Sequence, residues 1–217
     1  MAEHRQEFEH QLEAIEGKVI ELFAMVGEDL PEATRALLTG DSGALAVLVE
    51  RDRQIDALYR QVEELANKEI LLQQPVAADL RFLLSVLRVV PELERSHDLV
   101  VEIAAAATHS LTGDLSPRTR GLVEQMGDLA AAMWRQAADA WYQRDRDAAV
   151  TLTERDEEID ALHASLLAEL ASGHTAVPVT MEMTQVARCY ERLGAHAVNI
   201  SRRVVYLAGS AGLPGGI

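Results

Sequence analysis

Apolar residues recur along the chain in alternating steps of four and three, the period of one face of an α-helix. The first such run is Phe8, Leu12, Ile15, Val19, Leu22 and Val26. It stops at Thr39-Gly40-Asp41-Ser42-Gly43, where Asp41 or Ser42 is placed to cap the next helix. A second run follows through Leu45, Leu48, Ile55, Tyr59, Val62 and Ala66 and ends at Gln73-Gln74-Pro75. Proline suits the first turn of a new helix and not the interior of an old one. The third run passes through Leu80, Leu83, Leu87 and Val90, with a kink expected at Pro91. The stretch Thr112-Gly113-Asp114-Leu115-Ser116-Pro117 then divides the chain, Ser116 reading as a cap and Pro117 as the first helical residue. Three more helices are predicted at 117–144, 147–171 and 178–208. The pattern predicts an all-α protein of six helices in two tandem three-helix bundles. Their expected limits are 1–112 and 113–208, with a frayed tail over 209–217.

The two halves share more than a period. Leu48-Val-Glu-Arg-Asp-Arg-Gln-Ile-Asp-Ala-Leu58 returns as Leu152-Thr-Glu-Arg-Asp-Glu-Glu-Ile-Asp-Ala-Leu162, with eight of eleven residues identical. Glu94-Arg95 is matched in turn by Glu191-Arg192. Such a recurrence means one structural unit built twice. Packing explains repeated leucines, but Asp52, Asp56, Asp156 and Asp160 need another reason. Asp52 and Asp156 stand in apolar slots of their helices, and Asp56 and Asp160 lie one turn further along the same face. On the third helix Glu94 is in phase with the apolar seam, and Asp98 is a turn below it. If the second and third helices form an antiparallel hairpin turning near Gln74, the two acid pairs face one another. Asp52 and Glu94 are 42 residues apart, Asp156 and Glu191 only 35. The difference is about two helical turns. Losing one turn from each arm, with the second tip near Gly173, would keep the acids opposed.

Composition narrows the function. Of 217 residues 48% are apolar and 4% aromatic, with six prolines, which favours helix over sheet. A net charge of −15 argues against a nucleic-acid surface and against attraction to an anionic membrane face. No apolar run reaches the length of a membrane span, and Met-Ala-Glu-His-Arg does not begin a signal peptide. The single cysteine, Cys189, excludes an intrachain disulfide, suits a reducing cytoplasm and reads as a buried, inert thiol. No Gly-rich phosphate loop, nucleophile elbow or catalytic triad is present.

Carboxylates converging between helices repel one another, so they must take up protons, ion pairs or a cation. Oxygen donors without thiolates suit a hard or borderline metal ion. Arg51, Arg95, Arg155 and Arg192 adjoin the acids and offer the alternative of a neutralised polar layer. Glu94-x-x-His97 resembles half of a di-iron bundle motif, but Gly194 stands at the matching position of the other copy. Glu7-x-x-His10 has the same spacing by chance. His163 and His196 read as hydrogen-bonded structural histidines near the second cluster, and Trp134 and Trp141 as core or a contact between copies. Arg81, Arg88 and Arg95 form a basic stripe that could meet an acidic partner.

Four stretches carry a family likeness: Glu50-Arg-Asp-x-x-Ile-Asp56, Gln73-Gln-Pro-Val-Ala-Ala-Asp-Leu-Arg81, Glu94-Arg95 and Glu191-Arg-Leu-Gly-Ala-His-Ala-Val-Asn-Ile200. In this order, and with this duplication, they resemble the PhoU family over nearly the whole chain. The resemblance implies a cytoplasmic negative regulator of phosphate uptake and phosphate-starvation signalling, and not an enzyme. It implies contacts with the ATPase of the phosphate ABC transporter, with its sensor histidine kinase and with a second copy of the chain, while charge and the lack of a long apolar run argue against nucleic acid and membrane insertion. It further implies a divalent or multinuclear metal, iron or zinc ahead of magnesium or manganese. Carried over by residue, the first metal site is Asp52, Asp56, Glu94 and Asp98. The second is Asp156, Asp160 and Glu191, with Ala195 where the family has aspartate. Ser96, His97 and Leu99 also depart from the Ile-Gly and His usual beside the aspartate, and Pro91 is atypical. The competing readings are a paralogue or helical scaffold with another partner and no working metal site, and a di-iron oxidase. The oxidase would need two Glu-x-x-His motifs.

Overall fold

The computed structural model describes residues 2–109, 112–172 and 175–209, with side chains from residue 5 onward apart from that of Thr112. Six α-helices make up nearly all of it: α1 (Ala2–Thr39), α2 (Ala44–Gln73), α3 (Ala77–Ala106), α4 (Pro117–Gln143), α5 (Arg146–Leu170) and α6 (Val177–Ala208). Two single 3-10 turns, Ala107–His109 and Thr112–Asp114, lead from α3 to α4, and no strand occurs among the described residues. The fold is all-α, as the periodicity predicts. The expected second hairpin tip at Gly173 and most of the tail lie outside the described residues.

Local chemistry sets the helix ends. Gln74 and Ala77 bracket Pro75 with φ of 46° and 49°. Those left-handed residues turn the chain sharply between α2 and α3. Ser116 Oγ accepts the Thr119 N–H at 3.0 Å, and Pro117 opens α4. Asp145 caps α5 by accepting the N–H groups of Asp147 and Ala148 at 2.9 and 3.0 Å. Before α2, Asp41 accepts from Gly43 at 3.1 Å, while Gly43 itself holds the cap position. Both α1 and α3 continue through an internal proline, Pro31 and Pro91, as single helices.

Helices α1, α2 and α3 pack on one another, as do α4, α5 and α6; in addition α1 packs on α4 and α3 on α6. One apolar core runs continuously through all six helices. Trp134 and Trp141 are at its centre, 1% and 0% exposed, with the Phe23 ring 6.3 and 6.2 Å away. They are core residues and not a surface for another copy. Buried Thr34 Oγ1 on α1 lies 2.8 Å from the Tyr190 hydroxyl on α6. At the α1–α4 crossing, a Cβ on Gly127 would stand only 2.5 Å from Thr34 Cγ2. Arg144, left-handed at φ 55°, ends α4, lies over the Trp141 ring and pairs with Glu16 at 2.6 Å. No described helix is long and apolar enough to cross a membrane.

Candidate metal centre

The α2–α3 hairpin brings together the four acids expected of the first cluster. Partial burial pushes the Glu94 carboxyl above the ordinary carboxylate range, and the charges of Asp98, Asp56 and Asp52 push it further. Asp98 is raised in the same way, by burial and then by Asp52 and Asp56. In the α5–α6 hairpin, burial followed by the charges of Asp160 and Glu191 raises Asp156. Each copy therefore assembles its own acids. They sit at the edge of the helix seam and not inside the core: Asp52, Asp56, Glu94, Asp156 and Glu191 are half-buried, while Asp98 and Asp160 are exposed.

The seven-residue difference between copies is divided unevenly. Helix α5 runs about two turns less beyond Asp156 than α2 does beyond Asp52. Helix α6 is about one turn shorter before Glu191 than α3 before Glu94, and the connecting loop is three residues longer. The expectation of one turn lost per arm is corrected. Whole turns removed from each arm, with the loop taking up the remainder, still keep the acid faces opposed.

Among the described residues none of the adjoining arginines forms an ion pair with a cluster acid, although the charges of Arg95 and Arg192 offset part of the upward shift of Glu94 and Asp98. Arg51 turns to Asp29 and Glu28, at 3.4 and 4.0 Å, and Arg95 to Glu92 at 3.8 Å. The pairing that does occur is between Arg60 and Asp56, at 3.1 Å across one turn. Carboxyls of raised proton affinity, as Glu94, Asp98 and Asp156 are, among oxygen donors without thiolates suit a hard divalent ion. The donors are not at ligand spacing, however: among the described residues no three His, Cys, Asp or Glu groups are grouped tightly enough to hold one ion. The chemistry of the donor set fits a metal, and binding would have to draw the carboxylates inward.

The spacing of the acids gives no sign of the group buried beneath the first cluster. His97 is fully buried, with Nδ1 2.8 Å from Asp52 Oδ1 and Nε2 3.0 Å from Asp29 Oδ2 on α1. A ring bonded at both nitrogens to carboxylate oxygens is not a metal ligand. Either it carries both protons or one carboxyl shares one. In the second copy, Gly194 replaces it, and a Cβ there would come 2.8 Å from Asp156 Oδ1. Asp29 carried a readable signal, standing three residues after Val26 in the seam phase of α1.

The remaining candidates are structural. His196 Nδ1 lies 2.8 Å from Ser96 Oγ across the α3–α6 contact, with Nε2 3.9 Å from Glu92. His163 is half-buried with Nε2 unbonded. His10 sits exposed beside Glu13. In the basic stripe Arg81 is half-buried, while Arg88 and Arg95 face solvent. The Cys189 thiol is buried, which with Glu102 nearby raises it to about 12, so it is inert.

Comparison with known proteins gives one answer throughout. The PhoU domain model matches residues 19–107 and 123–204, one segment in each half. A phosphate-specific transport system accessory protein PhoU homolog of Pseudomonas putida is 31% identical over 93% of this chain and 80% of its own length. PhoU homolog 1 of Mycobacterium tuberculosis is 31% identical over 92% of both chains. The crystal structure of PhoU from Pseudomonas aeruginosa superposes with a TM-score of 0.87 at 29% identity, covering 92% of this chain and 98% of that one. The phosphate transport system regulatory protein PhoU from Streptococcus pneumoniae gives 0.84 at 26% identity, covering 92% and 96%. With both halves matched and the fold shared over 92% of its length, this chain belongs to the PhoU family.

Proposed function

We propose that this protein is a cytoplasmic, homodimeric accessory regulator of phosphate transport, acting through contact and not through catalysis. In this reading it restrains phosphate uptake and starvation signalling by engaging the transporter's ATPase and its sensor histidine kinase. The observation that carries the reading is the likeness, over nearly the whole chain, to proteins named as accessory or regulatory components of phosphate transport. A pull-down from phosphate-replete cells, with a starvation-promoter reporter in a deletion strain, tests it. The reading expects recovery of the transporter ATPase or the kinase and a derepressed reporter. Recovery of neither, with an unchanged reporter, refutes it.

The same proposal gives the acid clusters a divalent or multinuclear metal, with iron or zinc ahead of manganese or magnesium. Asp52, Asp56, Glu94 and Asp98 would hold it in the first copy, and Asp156, Asp160 and Glu191 in the second. The ion would supply positive charge that offsets the mutual repulsion of these carboxylates and ties α2 to α3 or α5 to α6. Elemental analysis of purified protein tests this part separately. A second reading, a scaffold of the same fold without a working metal site, draws on Ala195 and on donors that stand apart. Metal-free protein that still recovers its partners would favour it.

A further inference from the structure

We propose that Asp29 and His97 are positioning residues for the first carboxylate cluster, locking Asp52 so that one of its oxygens is presented to a cation. The inference rests on the metal reading above. Asp29 reaches the cluster from α1, a helix that supplies no ligand to either site as assigned. It is 6% exposed and His97 is 0% exposed, so neither side chain is free to move. The imidazole bridges Asp29 Oδ2 at 3.0 Å and Asp52 Oδ1 at 2.8 Å. Arg51 Nε lies 3.4 Å from the same Asp29 oxygen and holds the outer end of the chain. With Oδ1 engaged, Asp52 has Oδ2 to offer an ion and acts as a single-oxygen donor held by its neighbours, towards which the other carboxylates of the cluster would have to close.

The second copy lacks this support. Gly194 occupies the position of His97, and Asp156 lies over the space that the missing side chain leaves. The matched positions thus place their aspartates in opposite ways, one by a hydrogen bond and the other by an empty volume. A carboxylate whose rotamer is held by buried hydrogen bonds loses less freedom when it binds. Outer partners of this kind are typically worth 10- to 100-fold in metal affinity.

The test is titration of Mn2+ into chelator-stripped protein by calorimetry, in a Glu191→Gln background that weakens the second cluster. The inference expects Asp29→Ala and His97→Gly each to weaken binding by about 10- to 100-fold, with the same stoichiometry at saturation. Asp29→Asn, which keeps an acceptor for the ring, should recover part of the loss. Thr34→Val, which removes a buried hydrogen bond elsewhere, should lower the melting temperature without changing affinity. If His97→Gly fails to fold, the Asp29 variants carry the test. Unchanged affinity in Asp29→Ala and His97→Gly, with binding abolished by Glu94→Gln, overturns the positioning role and leaves the metal reading standing. No binding by the parent protein overturns both. An equal loss in Thr34→Val reduces the effect to general destabilisation and overturns the positioning role.

Discussion

Asp156 Oδ1 lies 2.8 Å from the point that a Cβ on Gly194 would occupy, so this carboxylate holds its place only while residue 194 has no side chain. The obstructing atom is the free end of a short side chain, and the other neighbours, on Ile159, stand at 3.3 and 3.4 Å. Gly194→Ala should therefore leave the fold within about 1 kcal/mol of the parent, because helix propensity gained by alanine offsets the crowding. The Asp156 carboxyl should swing outward all the same. Thermal melting checks the first expectation and metal content of the second cluster the second. A loss of several kcal/mol would show that Asp156 cannot move aside.

Gly127→Ala should behave differently. Its Cβ would meet Thr34 at Cγ2, Oγ1 and Cβ, at 2.5, 2.7 and 3.1 Å, where α1 crosses α4. Thr34 is itself fixed by bonds to the Leu30 carbonyl and to Tyr190. The helices must separate, and a loss of about 1–3 kcal/mol is expected. Chemical denaturation of the two glycine variants side by side measures the contrast.

Divalent metal should raise the melting temperature of chelated protein. Binding to the folded state alone contributes about 2.7 kcal/mol at a hundredfold excess over the dissociation constant. Protons compete: Glu94, Asp98 and Asp156 have raised carboxyl values, so their own contribution to folding is greatest in acid and is lost as pH rises through those values. The metal increment should accordingly be largest near neutral pH and shrink on acidification. Melting curves with metal and with chelator, taken across pH, test this. An increment that grows in acid would contradict it.

The copies should differ in capacity. Asp98→Ala should cost more bound metal than Glu191→Ala, since the second cluster already lacks a ligand at Ala195, and Ala195→Asp should raise its occupancy. Elemental analysis per chain decides. Equal losses with no gain from Ala195→Asp would show that the family's ligand assignment does not hold here.

His196 should make the α3–α6 contact sensitive to acid. Burial holds its imidazole below the ordinary 6.5, against the opposing pull of Glu92, while Arg192 and Arg95 lower it further. The folded state then takes the proton less readily than the unfolded chain. The His196 contribution is fully present above 6.5 and is lost as pH falls through the folded value. His196→Gln removes that titration while still offering Ser96 a polar partner. Unfolding free energies measured from neutral pH downward should fall less steeply for the variant, and parallel curves would refute the role.

The helices were legible because their ends are written in turn chemistry: Gln74-Pro75, Ser116-Pro117 and the Gly40–Gly43 break stop or start a helix by local sterics alone. The facing acids were legible because repetition separates them from chance. The contact between halves was not, since small residues such as Gly127 leave no periodic mark of what they admit. Gly194 at the matching position argues against His97 as a repeated ligand, yet the difference between those two residues is what reveals how each aspartate is held. Asp29 has no repeated partner to draw attention to it, and only the meeting of α1 with α3 gives it a role.

Helix α1 packs on α4 and α3 on α6, and in each case the partner is the helix's own counterpart in the duplication. That is the arrangement of an isologous dimer about a two-fold axis. In a dimer of identical subunits, every contact away from the axis would occur twice. Covalent linkage lifts that requirement. Ser96 meets His196 on one side of the axis, while the positions related to them by the duplication hold Leu193 and Leu99, both buried. Tyr190, which bonds Thr34, has Leu93 as its counterpart and so forms a link that cannot be duplicated. Fusion gives each half its own latitude: one carries Ala195 where its twin has Asp98, and the other carries His97 where its twin has Gly194, with neither exchange imposed on both.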